Sequence, residues 1–328
     1  MKPLDHYWNS INPVSLLLLP LAGLFCSLSW LRRKLYRLGV LASWKSPLPV
    51  IIVGNITVGG SGKTPLIIEL VRQLQRRGRK PAVISRGYGG HGKTWPQLVG
   101  PDAVARQVGD EPVLIFQRTA CPVVVGPNRK QDIQRIIEGF DCDIILCDDG
   151  MQHYALQRDI EIAVVDARRR FGNGFCLPAG PLREMVSRLR QVDLVLLNGG
   201  DMQQSAFQMR IETCRPLSPR LETRPLAEFV GKKVHAVAGI GDPQRFFDML
   251  AEQGLELIPH AFADHYPYTR NELIFDDECP VLMTEKDAVK CADFNLENHW
   301  AVALDIRLSS NAQNQLDMIF DTLSDKPR

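Results

Sequence analysis

Two hydrophobic rhythms organise most of the chain. From Leu48 onward, short apolar runs rich in β-branched residues recur as "PVIIV" (49–53), "PAVIS" (81–85), "CPVVV" (121–125), "DIILC" (143–147), "IEIAVV" (160–165) and "DLVLL" (193–197). Runs of this length and composition predict strands buried on both faces. Between several of them the apolar residues recur at helical spacing, as in Thr64–Arg77 and Arg129–Glu138. Alternating strands and helices predict βαβ units and a parallel sheet with helices on both faces. The segment from about 200 to 225 is polar and reads as a connection between domains. A second alternation follows, with "KVHAVAGIG" (233–241), a helix from Pro243 to Gln253, "LELIPHAF" (255–262) and a last strand "WAVALDI" (300–306). The expected fold class is α/β, divided into an N-terminal segment (1–45), a first domain (46–205) and a smaller second α/β domain (206–328).

The first forty residues follow neither rhythm. Val14 to Leu31, "VSLLLLPLAGLFCSLSWL", carries no charge and ends against Arg32, Arg33 and Lys34. Its length lies near the lower limit for a bilayer span, for which about 20 residues are wanted. The charges follow the apolar run and no A-x-A site appears, so a cleaved signal peptide fits poorly. A short span, a helix lying in the membrane interface and a buried helix remain as readings. Trp30, Tyr36 and Trp44 beside the basic run suit either membrane reading, since rings and cations favour the headgroup region. Both put the following domains on the cytoplasmic side, and the expectation is a body tied to a membrane surface.

Composition narrows the class only a little. The chain has 328 residues, 45% hydrophobic and 23% charged, with a net charge of +2. Those values suit a folded protein and give no argument for nucleic acid. Arg168, Arg169 and Arg170 form one of several local basic clusters, whose ordinary reading is a solvated face. Eight cysteines are scattered without a CxxC pair, which argues against a disulfide framework or a zinc site.

The candidate chemistry begins at Val53–Pro65, "VGNITVGGSGKTP". A phosphate-binding loop reads GxxxxGK[ST], with backbone N–H groups around the phosphates and the hydroxyl on magnesium. Gly62, Lys63 and Thr64 fit, whereas Thr57 stands at the first glycine position; Gly59 and Gly60 supply flexibility, and Ser61 completes the loop. A predicted strand precedes it and an amphipathic helix follows, which places an anion at a helix N-terminus. A P-loop NTPase-like first domain is therefore expected. A second magnesium element should follow a buried strand, and "DIILCDDG" places Asp148 and Asp149 there, at the edge where open α/β sheets bind ligands.

A nucleotide site alone does not separate a switch, a pump and a kinase. The ordered motifs "VGNITVGGSGKTP", "SRGYGG" (85–90), "VGDEP" (108–112), "DDGMQH" (148–153), "LPAGPLRE" (177–184), "AGIGDPQRFF" (238–247), "DHYPY" (264–268) and "TEKDAVK" (284–290), behind a basic-flanked N-terminal helix, resemble the tetraacyldisaccharide 4'-kinase family over essentially the whole chain. Thr57 is itself a trait of that family. The resemblance implies phosphoryl transfer from ATP, with Mg2+, to the 4'-hydroxyl of a tetraacylated glucosamine disaccharide 1-phosphate in lipid A biosynthesis. The implied place is the cytoplasmic face of a bacterial inner membrane, against anionic lipids, with no obligate protein partner. In that role Lys63 would hold the β/γ phosphates and Thr64 would ligate magnesium, with Asp149 and Asp148 or Glu111 completing the shell. The resemblance makes Asp110 the base, paired with His265, from two domains that close on the substrates. It also puts Arg129, Arg183 and Glu184 near the phosphates or the acceptor. The role of "TEKDAVK" is not implied by any chemistry of its residues.

Three rivals explain less. A switch ATPase acting on a protein partner at the membrane usually carries a further lysine early in the loop, and "GNITVGG" has none. A GTPase needs [NT]-K-x-D, whereas Lys286 and Asp287 are adjacent in "TEKD". A membrane-tethered scaffold leaves Lys63, Thr64, Asp148 and Asp149 unexplained.

Overall fold

The computed structural model describes residues 4–218 and 222–324. They form two compact units that interleave along the chain: the first comprises the residues up to Ser85, Asn128–Gln208 and those from Leu308, and the second Arg86–Pro127 and Met209–Arg307. In chain order the first unit starts with helices α1 (Pro13–Leu17) and α2 (Leu19–Arg37), strand β1 (Val50–Gly54), helix α3 (Lys63–Arg76) and strand β2 (Pro81–Ser85). The second unit takes β3 (Gln97–Val99), α4 (Ala105–Val108), α5 (Asp110–Thr119) and β4 (Val123–Val125). The chain returns with α6 (Arg129–Gly139), β5 (Ile144–Asp148), β6 (Ile160–Asp166), β7 (Leu194–Asn198) and the start of β8 (Ala206–Pro216). The second unit resumes with β9 (Arg224–Pro225), β10 (Lys233–Ala238), α7 (Pro243–Glu252), β11 (Glu256–Ala261), β12 (Val281–Thr284), α8 (Glu285–Ala288) and β13 (His299–Leu308), before α9 (Ser310–Ser324) closes the first.

In the first unit the strands run β2-β5-β1-β6-β7-β8, all parallel. Every residue of β1, β2, β5 and β6 is buried, as the unbroken apolar runs require of a sheet covered on both faces. Helix α3 covers one face with Leu66, Leu70 and Leu74, at helical spacing and nearly inaccessible. Each such leucine contributes about 1.5–3 kcal/mol relative to exposure. The helix stops at Arg77, before Gly78 at φ +74°, where a side chain would be strained.

The second unit has the parallel order β11-β10-β12-β13, with β8 beyond and β9 antiparallel to it. Its core gathers Val234, Ala236, Phe246, Phe247, Leu250 and Trp300, with the Phe229 ring edge-on to Trp300 at 5.5 Å. The expected break at 205/206 follows chain order, whereas the structure joins Arg86–Pro127 to the C-terminal strands. One reason is the buried Arg118 of α5, which pairs with Glu285 of α8 and with Asp305; local periodicity carries no trace of so distant a partner. The polar segment expected to be a connection instead carries β8, whose Phe207, Ile211 and Cys214 are buried while Gln208, Arg210 and Glu212 point outward or lie part-exposed. Residues 219–221 of that segment lie outside the described residues.

The Arg118 and Glu285 side chains are 1% and 6% exposed. Removing one member of a buried pair leaves the other charge uncompensated. Arg118→Ala is expected to destabilise the second unit by about 3–5 kcal/mol, read as a lower urea midpoint for a reporter in that unit.

Candidate active site

The phosphate loop leaves β1 at Gly54 and enters α3 at Lys63, with Gly62 as N-cap in the left-handed region at φ +89°. The loop is held from several sides. Buried Asn55 donates from Nδ2 to Ser61 Oγ at 3.1 Å, and buried Asn198, at the end of β7, donates to the Ser61 carbonyl at 2.9 Å. The Thr57 stretch, where a first glycine was wanting, pairs with the "GPLRE" segment: the Val58 N–H donates to the Pro181 carbonyl at 2.8 Å and the Arg183 N–H to the Ile56 carbonyl at 2.7 Å. Arg169 donates to the Gly60 carbonyl, and a Cβ on Gly59 would sit 3.3 Å from its guanidinium.

Strand register sets the acids beside this loop. In the β1–β5 pairing Val53 lies opposite Asp148, so both strands end together. Asp148 is buried and accepts from Ser85 Oγ at 2.9 Å. Asp149 sits at φ +46°, with Lys63 Nζ 3.5 Å from Oδ1 and Arg183 Nη1 donating to Oδ2 at 2.9 Å. Burial pushes the Asp149 carboxyl up, but Lys63 and Arg183 outweigh it and hold it below the usual carboxylate range. Ionised carboxylate and hydroxyl oxygens suit a hard cation such as Mg2+. Thr64, Asp149 and Asp148 therefore fit that ion chemically, although no group of three or more His, Cys, Asp or Glu side chains is gathered into a cage among the described residues.

The second unit holds its own cluster. Asp110, the buried first residue of α5, meets His265 Nδ1 through Oδ2 at 2.9 Å. These two were expected from different domains; they lie in one unit. Oδ1 of Asp110 accepts the Glu111 N–H at 2.9 Å. Burial raises the Asp110 carboxyl, but the His265 hydrogen bond, Lys286 and Lys290 overcome this and keep it below its ordinary value. His265 is raised by the same hydrogen bond, against burial and Lys286. The ring is held by Tyr88 at 5.1 Å between centroids and by Gly89, where a Cβ would approach Nδ1 to 3.4 Å. His265 itself sits at φ +59°, a conformation rare outside glycine and costing about 1–3 kcal/mol.

The other expected contacts fall differently. Glu111 lies in the second unit, with Oε1 3.2 Å from Lys286 Nζ. Arg129 is buried, 3.4 Å from Asp132 and donating to the Asp148 main-chain carbonyl at 3.3 Å. Glu184 accepts from Gln152 at 3.0 Å and Tyr154 at 2.6 Å, and lies 3.6 Å from both Arg33 and Arg188. Of Arg129, Arg183 and Glu184, Arg183 bonds the Asp149 carboxylate and Arg129 the Asp148 main chain. Asn55, Asn198, Arg169 and Lys286 were not singled out as site residues, because each is an ordinary polar residue until the sheet or the loop brings it in. For Asn198 one signal existed, its place at the C-terminal end of a buried strand.

A parallel sheet with a glycine-rich loop entering a helix, and acids at the neighbouring strand end, defines an α/β nucleotide-binding protein of the phosphate-loop class. Residues 14–322 match the LpxK family model, tetraacyldisaccharide-1-P 4'-kinase. The tetraacyldisaccharide 4'-kinase of Nitrosococcus oceani is 49% identical, covering 93% of this chain and 90% of its own. That of Hahella chejuensis is 46% identical over 95% of each. A crystal structure of LpxK from Aquifex aeolicus in complex with ATP superposes with a TM-score of 0.78 at 28% identity, covering 94% of this chain and 99% of that one. The chain belongs to the tetraacyldisaccharide 4'-kinase family, and its enzyme class is kinase.

Gly62 at φ +89° caps the phosphate-loop helix, and a side chain there costs about 1–2 kcal/mol. Gly62→Ala is expected to shrink the rise in Tm produced by saturating ATP while leaving the ATP-free Tm within a few degrees.

Proposed function

We propose that this kinase transfers the γ-phosphoryl group of ATP to the 4'-hydroxyl of a tetraacylated disaccharide 1-phosphate at the cytoplasmic face of a bacterial inner membrane. Family membership over residues 14–322 is the observation that carries the reading. Lys63 and the N-terminus of α3 hold the β/γ phosphates, where free N–H groups and the helix dipole favour anions. Thr64, Asp149 and Asp148 are the residues that would hold Mg2+, which would supply charge neutralisation at the phosphates. Arg183 and Lys63 keep Asp149 ionised for that task. The Asp110 carboxylate accepts the hydroxyl proton, and His265, hydrogen-bonded to it, fixes its orientation.

The N-terminal helices supply the surface for a lipid substrate. Leu17, Leu21, Leu24, Leu28 and Leu31 recur at helical spacing and are all exposed, a stripe of the kind that lies in a membrane interface. Ala22 is buried on the inner face, and Arg33 approaches Glu184 from it. Lys34 lies over the Trp30 ring at 4.9 Å. Among the described residues no helix is long and apolar enough to cross a membrane, which favours the interfacial reading over a span.

The reaction is tested with γ-labelled ATP, magnesium and the tetraacyl disaccharide 1-phosphate in detergent micelles. Label should pass to the lipid and fail to do so with Lys63→Ala; lysine-dependent release of free phosphate without lipid labelling would instead indicate a switch ATPase. Asp110→Asn should lower turnover by about 10²-fold or more while ATP still binds, and near-normal turnover removes Asp110 from the role of base. Exchanging Leu21, Leu24 and Leu28 for serine should abolish sedimentation with anionic vesicles, whereas undiminished sedimentation would place the lipid contact elsewhere.

A further inference from the structure

From the basic run Arg168–Arg170 the fold brings one side chain to the phosphate loop. Arg169 donates to the Gly60 carbonyl from the turn that follows β6. Buried Asp166, the last residue of β6, shapes that turn. Its Oδ1 accepts the Arg168 N–H at 2.9 Å and the Arg169 N–H at 3.0 Å, and its carbonyl accepts the Arg170 N–H at 2.8 Å. The turn closes with Arg170 at φ +45° and the Gly172 N–H donating to the Arg169 carbonyl at 2.9 Å. In the β6–β7 pairing Asp166 lies opposite Asn198, whose side chain donates to the next loop carbonyl, that of Ser61, at 2.9 Å. Two neighbouring strand ends thus reach two successive carbonyls of the loop. All of these residues belong to the first unit.

We propose that Arg169 is a positioning residue for ATP: by holding the Gly60 carbonyl, it turns the Ser61 N–H toward the phosphates. In a planar trans peptide the C=O and N–H point in opposite directions. A donor that takes the Gly60 carbonyl therefore sets the Ser61 N–H to the side away from Arg169. Asn198 does the same for the Gly62 N–H through the Ser61 carbonyl. Packing does not fix the 60–61 peptide, since a Cβ on Gly60 would meet nothing within 4 Å, and glycine by itself allows either orientation. Gly59, at φ +95°, leaves room for the guanidinium, whose Nη1 would lie 3.3 Å from a Cβ there. Successive amides aimed in advance form an anion-binding nest that needs no rearrangement when the triphosphate arrives. Arg169 need not touch ATP to act in this way.

This inference rests on the loop binding ATP, and neither the acceptor nor the base enters its test. Gly60–Ser61 is the only Gly-Ser step in the chain. Protein labelled with 13C'-glycine and 15N-serine therefore gives a single carbonyl–amide cross-peak, which reports this peptide. Full-length wild type, Arg169→Met, Arg169→Lys and Arg168→Met are compared in micelles without nucleotide, and the Kd of each for ATP is measured by calorimetry. Arg169→Met should shift the cross-peak and weaken ATP binding about 10-fold. Arg169→Lys, which retains a donor, should restore most of both, and Arg168→Met should keep a Kd within about twofold of wild type. Affinity lost with an unmoved cross-peak would make Arg169 a direct phosphate contact and overturn the positioning role. Unchanged affinity in Arg169→Met, a lysine variant as impaired as the methionine one, or an equal loss in Arg168→Met would each overturn it as well. A wild type that binds no ATP would instead overturn the reading of the loop as a nucleotide site.

Discussion

The parallel register of β1 with β5 determines where the chemistry of the first unit can be. With Val53 opposite Asp148, the loop that leaves β1 and the acids that end β5 emerge at one edge. Strand β6, on the other side of β1, and β7 beyond it extend that edge to Asn198, which grips the loop at Ser61. A slip of one residue would turn every side chain of a strand to the opposite face. With both faces of β1 and β5 buried, such a slip would leave Asp148 pointing into apolar packing, so core and site enforce the same register.

Two residues of the candidate site share an uncommon backbone. Asp149 and His265 are both non-glycine residues at positive φ, and such strain persists only where surrounding contacts over-determine it. For Asp149 these are Lys63 and Arg183; for His265 they are Asp110, Lys286 and the Tyr88 ring. In each unit a buried or half-buried acid is kept ionised by cations that overcome the effect of burial. Each unit thus prepares its own charged group in advance, which is how a protein stabilises charge without rearranging at the moment of reaction.

The N-terminal helices follow a different constraint. Their inner face is fixed by Ala22 and by the Arg33–Glu184 approach, while the leucine stripe remains in contact with solvent. Glu184 therefore links the amphipathic helix to Gln152 and Tyr154, just after the acid pair. An exposed stripe of that size is unusual on a soluble monomer and marks an interaction surface.

The sequence by itself determined the α/β class, strands β1, β2, β5, β6 and β7 of the first unit and β4 of the second within a residue or two of their ends, and the loop with its acid pair. It could do so because an apolar run, a helical period and a glycine-rich turn are local patterns. Asp110 and His265 were legible only through resemblance to a family; nothing in "GDEP" or "DHYPY" alone predicts a hydrogen bond across 155 positions. Tertiary structure decided the rest. It took Arg86–Pro127 into the second unit, made a strand of the polar segment at Ala206–Pro216, and turned Arg129 and Glu184 toward protein partners. It also brought Lys286 beside His265. The physical reason is common to all four: ion pairs, strand partners and buried charges are set by which distant segments meet, and a one-dimensional pattern records only what each residue does with its near neighbours.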